Sequence, residues 1–266
     1  MLKLKQAFKE GQTLVGTWLN APSPAQVETI GYAGFDFVIL DTEHSAFDIA
    51  GCENLVRAAD AAQLPCLVRV SDNNPTSVSK ALEYGAQGIV VPHVSSRAEA
   101  EEAVSHAHYP PVGVRGAAPS VRAAHYGQIA WPDYLAQARE ETLVVLQIEG
   151  HEGIANLDAI MAVPQVDVLF IGPFDLSTVL GISGQLDHPL LLETVGGIVQ
   201  RARANGIAVG IWMPTPEQAG PWIGRAVQLI TVASNDLIFL QGCRTFASKV
   251  KAQLTADRGP QTAEKK

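Results

Sequence analysis

Two acidic residues, Glu149 and Asp175, each lie at or just beyond the end of a short apolar run of the kind that forms a buried β-strand. Lysine, by contrast, is almost absent from the body of the chain: seven of the eight lysines lie near the two ends, and only Lys80 lies between them. An enzyme that makes a carbanion without a Schiff-base lysine needs another electron sink. A divalent metal held by two carboxylates can supply one. The sequence therefore predicts metal-assisted carbanion chemistry.

Either carboxylate on its own is equally well explained as a helix N-cap or as an acid in the first turn of a helix. Together, the two favour a metal site. An oxygen-only ligand set suits Mg²⁺ or Mn²⁺, which keep bound waters that a chelating substrate can displace, and it argues against a structural zinc site. We therefore predict Mg²⁺ or Mn²⁺ at Glu149 and Asp175, with Co²⁺ as a further candidate and no organic cofactor.

Further polar residues lie at the ends of other predicted strands. His44 follows the second apolar run in the company of Asp41 and Glu43, which makes it a candidate base, although a single histidine is more often a hydrogen-bonded surface residue. Arg69 lies inside Cys66–Val70, where its charge would be stranded unless it meets an anion or a carboxylate at the end of the strand. A structural ion pair with a neighbouring acid is the alternative interpretation of Arg69.

Parallel strands are needed to bring these residues together, and the sequence contains eight apolar runs that are mostly continuous, as in strands covered on both faces. The runs are Leu14–Trp18, Asp36–Asp41, Cys66–Val70, Gly88–Val91, Leu143–Glu149, Asp167–Ile171, Ile207–Trp212 and Gln228–Val232. Eight such units predict an α/β fold, a (β/α)8 TIM barrel, in which the carboxyl ends of the strands share one rim. A doubly wound open sheet is the alternative, but no G-x-G-x-x-G motif follows the first run and no P-loop motif is present.

Helix boundaries are marked by short motifs. Predicted starts are Ser23-Pro24, Asn74-Pro75, Thr215-Pro216 and the capping box Ser96 to Glu99, and predicted stops are Gly34, Gly85 and Gly206. We predict one barrel domain over residues 1–254 and a disordered polar tail over residues 255–266. A long irregular segment, His108 to Trp131, is predicted to form part of the pocket rim.

The composition restricts the class of protein. With 47% hydrophobic residues the chain can bury a large core without disulfides, and Cys52, Cys66 and Cys243 form no pairing pattern, so we expect a cytoplasmic setting. A formal net charge of −8 argues against nucleic-acid and anionic-membrane partners. No apolar run approaches the roughly 20 residues of a membrane-spanning helix, and we expect no secretory leader.

Four separated motifs resemble the HpcH/HpaI family of class II pyruvate aldolases, and the resemblance extends over residues 16–250. The motifs are Asp41-Thr42-Glu43-His44, Gly113-Val114-Arg115-Gly116, Gln147-Ile148-Glu149 and the segment Phe170 to Ser177. The resemblance implies reversible, metal-dependent retro-aldol cleavage through an enolate. The substrate would be a 4-hydroxy-2-oxo acid, such as 4-hydroxy-2-oxoheptanedioate or a 2-keto-3-deoxy sugar acid, and the products would be pyruvate, or a close 2-oxo acid, and an aldehyde.

The resemblance also implies roles for single residues. Glu149 and Asp175 would bind the metal, Arg69 would stabilise the enolate, His44 would act as base through a water, Asp41 and Glu83 would orient or tune that base, and Gln147 would contact the pyruvate moiety. The family further implies a homohexamer built as a dimer of trimers, with the residue at Trp212 reaching into a neighbouring subunit's site.

Two residues depart from the better-known family members. Phe174 stands where alanine is frequent, and Trp212 replaces a smaller aliphatic residue. Both changes leave open which aldehyde the substrate contains, but they do not change the expected chemistry. Lys80 is predicted to be a surface residue of a helix and not a Schiff-base lysine. The alternatives are a CoA-thioester carbon–carbon lyase of the citrate-lyase β type and a non-catalytic barrel that binds 2-oxo acids.

Overall fold

A computed structural model describes residues 1–257 of the chain. Eight parallel strands close into a barrel in which neighbours follow chain order and the last strand pairs with the first. The strands are β1 (Leu14–Leu19), β2 (Phe37–Asp41), β3 (Cys66–Arg69), β4 (Gly88–Val91), β5 (Leu143–Ile148), β6 (Val168–Ile171), β7 (Ala208–Met213) and β8 (Leu229–Ser234). The predicted (β/α)8 fold is confirmed, and each predicted strand agrees with an observed strand to within two residues at either end.

Helices surround the barrel, and short 3₁₀ segments occur at Ile49–Gly51 and Arg122–Gly127. The helices are α1 (Leu4–Lys9), α2 (Pro24–Tyr32), α3 (Cys52–Ala61), α4 (Pro75–Glu83), α5 (Arg97–Ala107), α6 (Trp131–Glu141), α7 (His151–Ala155), α8 (Leu157–Met161), α9 (Pro173–Val179), α10 (Pro189–Ala204), α11 (Pro216–Ile223) and α12 (Asn235–Asp257). The predicted caps are present, because the side chains of Ser23, Asn74 and Thr215 each accept a backbone N–H three residues on. Ser96 and Glu99 form the predicted capping box.

The barrel interior is a packed core rather than a channel. Phe37 and Phe170 are almost completely buried inside it, together with Trp18. A Cβ on Gly16 would lie 2.5 Å from the Phe37 ring, so the glycine provides the space that the ring occupies. Helix α1 contributes apolar residues to the same core next to the first residues of the strands. It therefore closes the amino end of the barrel, and the carboxyl end is left for a site.

Helix α12 is held to the barrel at its start. Asn235 accepts a hydrogen bond from the backbone N–H of Asn20 at 2.7 Å and donates to Gln26 at 2.7 Å. From Asp236 to Leu254 the helix is almost entirely exposed, including Phe239 at 69% and Phe246 at 76% exposure. It extends to Asp257, three residues past the predicted domain boundary. The rest of the predicted tail lies outside the described residues.

None of the helices in residues 1–257 has both the length and the apolar character that a membrane span requires.

Candidate active site

Seven of the predicted site residues line one small pocket at the carboxyl end of the barrel, with a volume of about 170 Å³. They are Asp41, His44, Arg69, Gln147, Phe174, Asp175 and Trp212. These residues come from β2, β3, β5, β7 and the first turn of α9, or from the loops that follow those strands. Closure of the barrel is therefore what brings them together, because the carboxyl ends of all its strands meet at one rim.

The Arg69 guanidinium is held in a fixed position at the pocket. Asp41 lies opposite Arg69 in the β2–β3 register, and its carboxylate accepts two hydrogen bonds, from Nε at 2.8 Å and from Nη2 at 2.6 Å. The third nitrogen, Nη1, lies 3.1 Å from Glu43 Oε2, and the guanidinium stacks 4.4 Å from the Trp18 ring centroid. Arg69 is 7% exposed. The ion pair expected under the alternative interpretation is thus present, and the same side chain also lines the pocket.

Glu149 lies directly after β5 and is 4% exposed. Its Oε1 accepts the backbone N–H of His93 at 2.9 Å, and its Oε2 accepts a hydrogen bond from Gln147 Nε2. Burial raises the pKa of Glu149, and the nearby Asp175 raises it further, whereas His93 and the hydrogen bond from Gln147 lower it. The two predicted metal-binding carboxylates are therefore close enough to repel each other.

His93 contacts the site residues; the sequence suggested only that it follows the fourth strand and could line the pocket, and indicated no chemical role for it. Its ring bridges two acids, with Nδ1 2.7 Å from Glu149 Oε1 and Nε2 2.9 Å from Glu43 Oε1. The backbone of His93 has a φ of 55°, in the left-handed region that non-glycine residues rarely adopt. That conformation turns the ring back over the carboxylates. The Val91-Pro92-His93 order places a histidine just after a strand, and this position was the only signal available in the sequence.

The residues at the acidic pair fit a hard divalent cation. A Cβ on Gly172 would lie 2.7 Å from Glu149 Oε2, so the glycine leaves open the space around that carboxylate. Gln147 Oε1 is buried without a hydrogen-bond partner among residues 1–257. Within the same range no group of three or more His, Cys, Asp or Glu residues is arranged to hold a metal. An ion at Glu149 and Asp175 would consequently take its remaining ligands from water or substrate, as Mg²⁺ usually does.

His44 lies at the open side of the pocket. Its ring is 65% exposed, and the nearest carboxylate oxygen that contacts it is Glu43 Oε2, 3.9 Å from Nε2. Asp41 does not contact the ring through any hydrogen bond or ion pair that the structure shows. Instead, Asp41 Oδ1 accepts the backbone N–H groups of Glu43 at 3.0 Å and His44 at 3.3 Å. Asp41 thus shapes the turn that carries His44 while it fixes Arg69.

Two predicted contributors lie elsewhere. Glu83 is on α4, where it pairs with Lys80 at 3.6 Å, and the structure does not bring it to the pocket. Lys80 has a half-exposed side chain on the outer helix layer. The segment that begins at His108 also lies away from the pocket, because α5 follows β4 and returns the chain to the amino end of the barrel. Its residues instead line cavities beside Gln87 and Thr142, which immediately precede β4 and β5 and so lie at the amino end of the barrel. Within a single chain, the prediction that this segment forms part of the pocket rim is therefore wrong.

Aromatic side chains also line the pocket. Trp212 lies near the end of β7, and its indole N–H donates to the carbonyl of Ala233 at 3.0 Å, which fixes the ring. Phe174 lies in the first turn of α9 and is 52% exposed. The lining of the pocket therefore combines charged side chains, Arg69 and Asp175 among them, with aromatic ones. Such an arrangement suits a substrate with an anionic, oxygen-rich end.

The sequence matches the HpcH/HpaI aldolase/citrate lyase family over residues 14–241. It is 36% identical to 2-dehydro-3,6-dideoxy-6-sulfogluconate aldolase of Pseudomonas putida, with 97% of each chain covered. It is 34% identical to 5-keto-4-deoxy-D-glucarate aldolase of Escherichia coli O157:H7, with 94% of this chain and 96% of that protein covered. A solved structure of an HpcH/HpaI aldolase/citrate lyase family protein from Burkholderia cenocepacia superposes with a TM-score of 0.88 at 32% identity, and the match covers 93% of this chain and 98% of the other.

The family match spans most of the barrel and includes Glu149 and Asp175. The two aldolases match along almost their whole length, so the likeness is not confined to a shared fold. The family predicted from the motifs is therefore confirmed, as is the prediction of a carbon–carbon lyase of the aldolase type. The chain belongs to the HpcH/HpaI aldolase/citrate lyase family.

Proposed function

We propose that the chain catalyses the reversible cleavage of a 4-hydroxy-2-oxo acid into pyruvate, or a close 2-oxo acid, and an aldehyde. The observation that carries this proposal is the acidic pair Glu149 and Asp175 next to a small pocket that also holds the Arg69 guanidinium. The only lysine in the body of the chain lies on α4, outside this pocket. The geometry therefore favours an aldolase of class II over one that forms a Schiff base.

Mg²⁺ or Mn²⁺, or Co²⁺ as a further candidate, held by Glu149 and Asp175 would act as a Lewis acid that draws electron density from the substrate carbonyl. Arg69 would stabilise the negative charge that develops on the same oxygen, because its guanidinium is already fixed by Asp41 and desolvated by Trp18. Gln147 lines the same pocket and is assigned to the pyruvate moiety. The aldehyde part of the substrate would contact Phe174 and Trp212.

Proton transfer is assigned to His44. The exposed ring would accept the proton of the 4-hydroxyl group through a water during cleavage, and it would take a proton from the pyruvate methyl group in the synthetic direction. Asp41 would act on this step only through the backbone of the turn, since its carboxylate accepts the N–H groups of Glu43 and His44. Glu83, which pairs with Lys80, has no part in this version of the mechanism.

We propose that the working protein is a homohexamer arranged as a dimer of trimers. Support comes from α12, whose exposed apolar side chains include Phe239, Phe246 and Val250 and would be covered by another subunit.

The free cysteines support a cytoplasmic location, because Cys243 is an exposed thiol and oxidising compartments favour disulfides. Small 2-oxo acids and aldehydes are the proposed partners, and no nucleic acid or membrane partner is proposed.

The proposal is tested by incubating the protein with pyruvate and Mg²⁺ in D₂O and following the methyl signal by proton NMR. We expect exchange that stops on addition of a chelator and returns with excess Mg²⁺. Glu149→Gln should lose the exchange, whereas Asp158→Asn, which changes a surface acid paired with Arg201, should retain it. Metal-independent exchange, or covalent trapping of pyruvate by borohydride, would contradict the proposal.

A further inference from the structure

A second cavity lies at the opposite end of the barrel from the candidate active site. We call it the basal cavity; it has a volume of about 430 Å³, and its lining includes Lys3, Arg57, Gln87, Arg115, Arg122 and Thr142. Gln87 and Thr142 immediately precede β4 and β5, which places the cavity at the amino end of the strands. Its volume is within the range of small-molecule sites. Neither the family motifs nor the proposed reaction assigns it a function.

The charge of the basal cavity is unusual for a protein with a net charge of −8. Three of its four cationic side chains are neutralised by an acid within the chain. The pairs are Lys3 with Glu141 at 2.5 Å, Arg57 with Glu53 at 2.6 Å, and Arg122 with Asp60. Arg115 is the fourth cation. No ion pair joins it to any acid among residues 1–257, so one positive charge at the cavity is left uncompensated.

Arg115 is also deeply buried, with 4% of its surface exposed. Its Nε and Nη2 atoms are inaccessible and have no acceptor among residues 1–257, and the guanidinium stacks 4.5 Å from the Tyr109 ring centroid. Stacking satisfies the face of a guanidinium but not its N–H groups. A buried charge without a hydrogen-bonding partner is strongly destabilising. The position therefore calls for an anion.

The backbone holds Arg115 in this position. Its N–H donates to the His108 carbonyl at 3.0 Å, and Val114 N–H donates to the Ser105 carbonyl at 2.9 Å. A Cβ on Gly113 would lie 2.2 Å from that Ser105 oxygen, so the glycine is required for the loop to pack directly on α5. The guanidinium is thus presented by a fixed loop rather than by a flexible surface chain, and little ordering would be needed for binding.

The surroundings of Arg115 are positive. Burial, together with the positive charges of Lys5, Arg115 and Arg139, lowers the pKa of His108 to about 4, so this histidine stays neutral at pH 7. A neutral histidine cannot supply the missing charge, but the cationic field that keeps it neutral would attract an anion. Two independent observations, the unpaired buried guanidinium and the cavity that it lines, therefore point to the same class of ligand.

We propose that the basal cavity binds a small carboxylate or phosphate anion through Arg115. Nη1, the guanidinium nitrogen that is not among the inaccessible ones, can donate to a carboxylate or phosphate oxygen in the cavity, and the charge of the anion would compensate the buried cation. The cavity is separate from the candidate active site, so its ligand differs from the substrate in position and can differ from it in identity. The inference does not depend on the proposed function.

The test is isothermal titration of inorganic phosphate and, separately, of succinate into the full-length protein, at constant ionic strength maintained with chloride. Wild-type protein and the variants Arg115→Gln, Arg69→Gln and Arg201→Gln are compared. Arg69→Gln removes the cation of the candidate active site, and Arg201→Gln removes a surface cation of equal charge. We expect Arg69→Gln and Arg201→Gln to keep a binding event that Arg115→Gln weakens by about tenfold or more.

Binding of phosphate but not succinate would identify a phosphate site, and the reverse result would identify a carboxylate site. Ala123→Trp provides a second variant that places bulk at the lining of the cavity without a change of charge, and it should weaken the same event. Thermal unfolding without ligand checks that each variant is folded. The proposal is overturned if wild-type protein binds neither anion, if binding is lost only in Arg69→Gln, or if Arg115→Gln binds as tightly as wild type.

Discussion

The Asp41–Arg69 pair offers a direct test of how the candidate site is held together. In Asp41→Asn, Oδ1 can still accept hydrogen bonds from Arg69 Nε and from the backbone N–H groups of Glu43 and His44. The new amide nitrogen, however, is a donor and takes the place of Oδ2, which now accepts from Arg69 Nη2 at 2.6 Å. One charge-assisted hydrogen bond, worth about 1.5–3 kcal/mol, is lost and a donor–donor contact replaces it. Glu43, 3.1 Å from Nη1, keeps Arg69 partly compensated. We therefore expect a loss of about 2–4 kcal/mol in the free energy of unfolding, near the lower end of what breaking a buried pair costs.

Urea unfolding followed by circular dichroism measures this loss. The matched control is Asp158→Asn, which removes an acid that is 79% exposed and 2.8 Å from Arg201. An exposed pair contributes about 0–1 kcal/mol, so the two variants should differ clearly. The double variant Asp41→Asn with Arg69→Gln should recover part of the loss, because it also removes the buried cation that Asp41→Asn leaves partly unpaired, while Glu43 Oε1 keeps its contact with His93 at 2.9 Å. Equal destabilisation by Asp41→Asn and Asp158→Asn would refute the reasoning that burial makes this pair structural.

Three further outcomes are expected. Glu149→Gln should weaken Mn²⁺ binding by roughly 10²-fold, because it removes one of the two proposed carboxylate ligands. Electron paramagnetic resonance measures the binding, and unchanged affinity would exclude Glu149 as a ligand. The pKa of His108 is lowered from 6.5 to about 4, so the unfolded chain binds more protons between these values, and stability should fall by roughly 3 kcal/mol as pH drops through this range. His108→Gln should flatten that pH dependence in urea unfolding. Trp212→Leu should change the kcat/KM ratios among aldehydes of different length, while the rate of deuterium exchange into the pyruvate methyl group stays near that of the wild type. Loss of the oligomer without a change in aldehyde preference would instead make Trp212 an interface residue.

The strand-end residues were predictable because their surroundings follow from strong local rules. Arg69 interrupts an apolar run, and a charge in such a run must emerge at the end of the strand or be paired. Proline after Ser23, Asn74 and Thr215 fixed the helix starts, because it pre-sets the backbone of the first helical turn. In a closed parallel barrel the carboxyl ends of all strands meet at one rim. The prediction that Asp41, Arg69 and Gln147 lie together therefore needed only the strand order.

Other parts depend on tertiary geometry that a single sequence does not reveal. The reach of His93 to Glu149 depends on a positive φ in a residue that is not glycine, and nothing in Val91-Pro92-His93 announces it. The segment from His108 was placed at the wrong end because its length resembles an active-site loop, whereas its end of the barrel is decided by the direction of α5. Arg115 lies in a recognisable motif, but only packing shows that its N–H groups have no acceptor among residues 1–257.

The position of Phe174 has a consequence for how the enzyme can diversify. Its side chain lies at the pocket but is 52% exposed, and the hydrogen bonds that hold the first turn of α9 use its backbone oxygen, which accepts from Ser177 at 2.6 Å and Thr178 at 3.2 Å. The ring can therefore be exchanged for almost any other side chain without breaking a hydrogen bond or opening a core void. Selection for new aldehydes, in nature or in a saturation library, can act at codon 174 while the buried charges of Asp41, Arg69 and Glu149 stay unchanged.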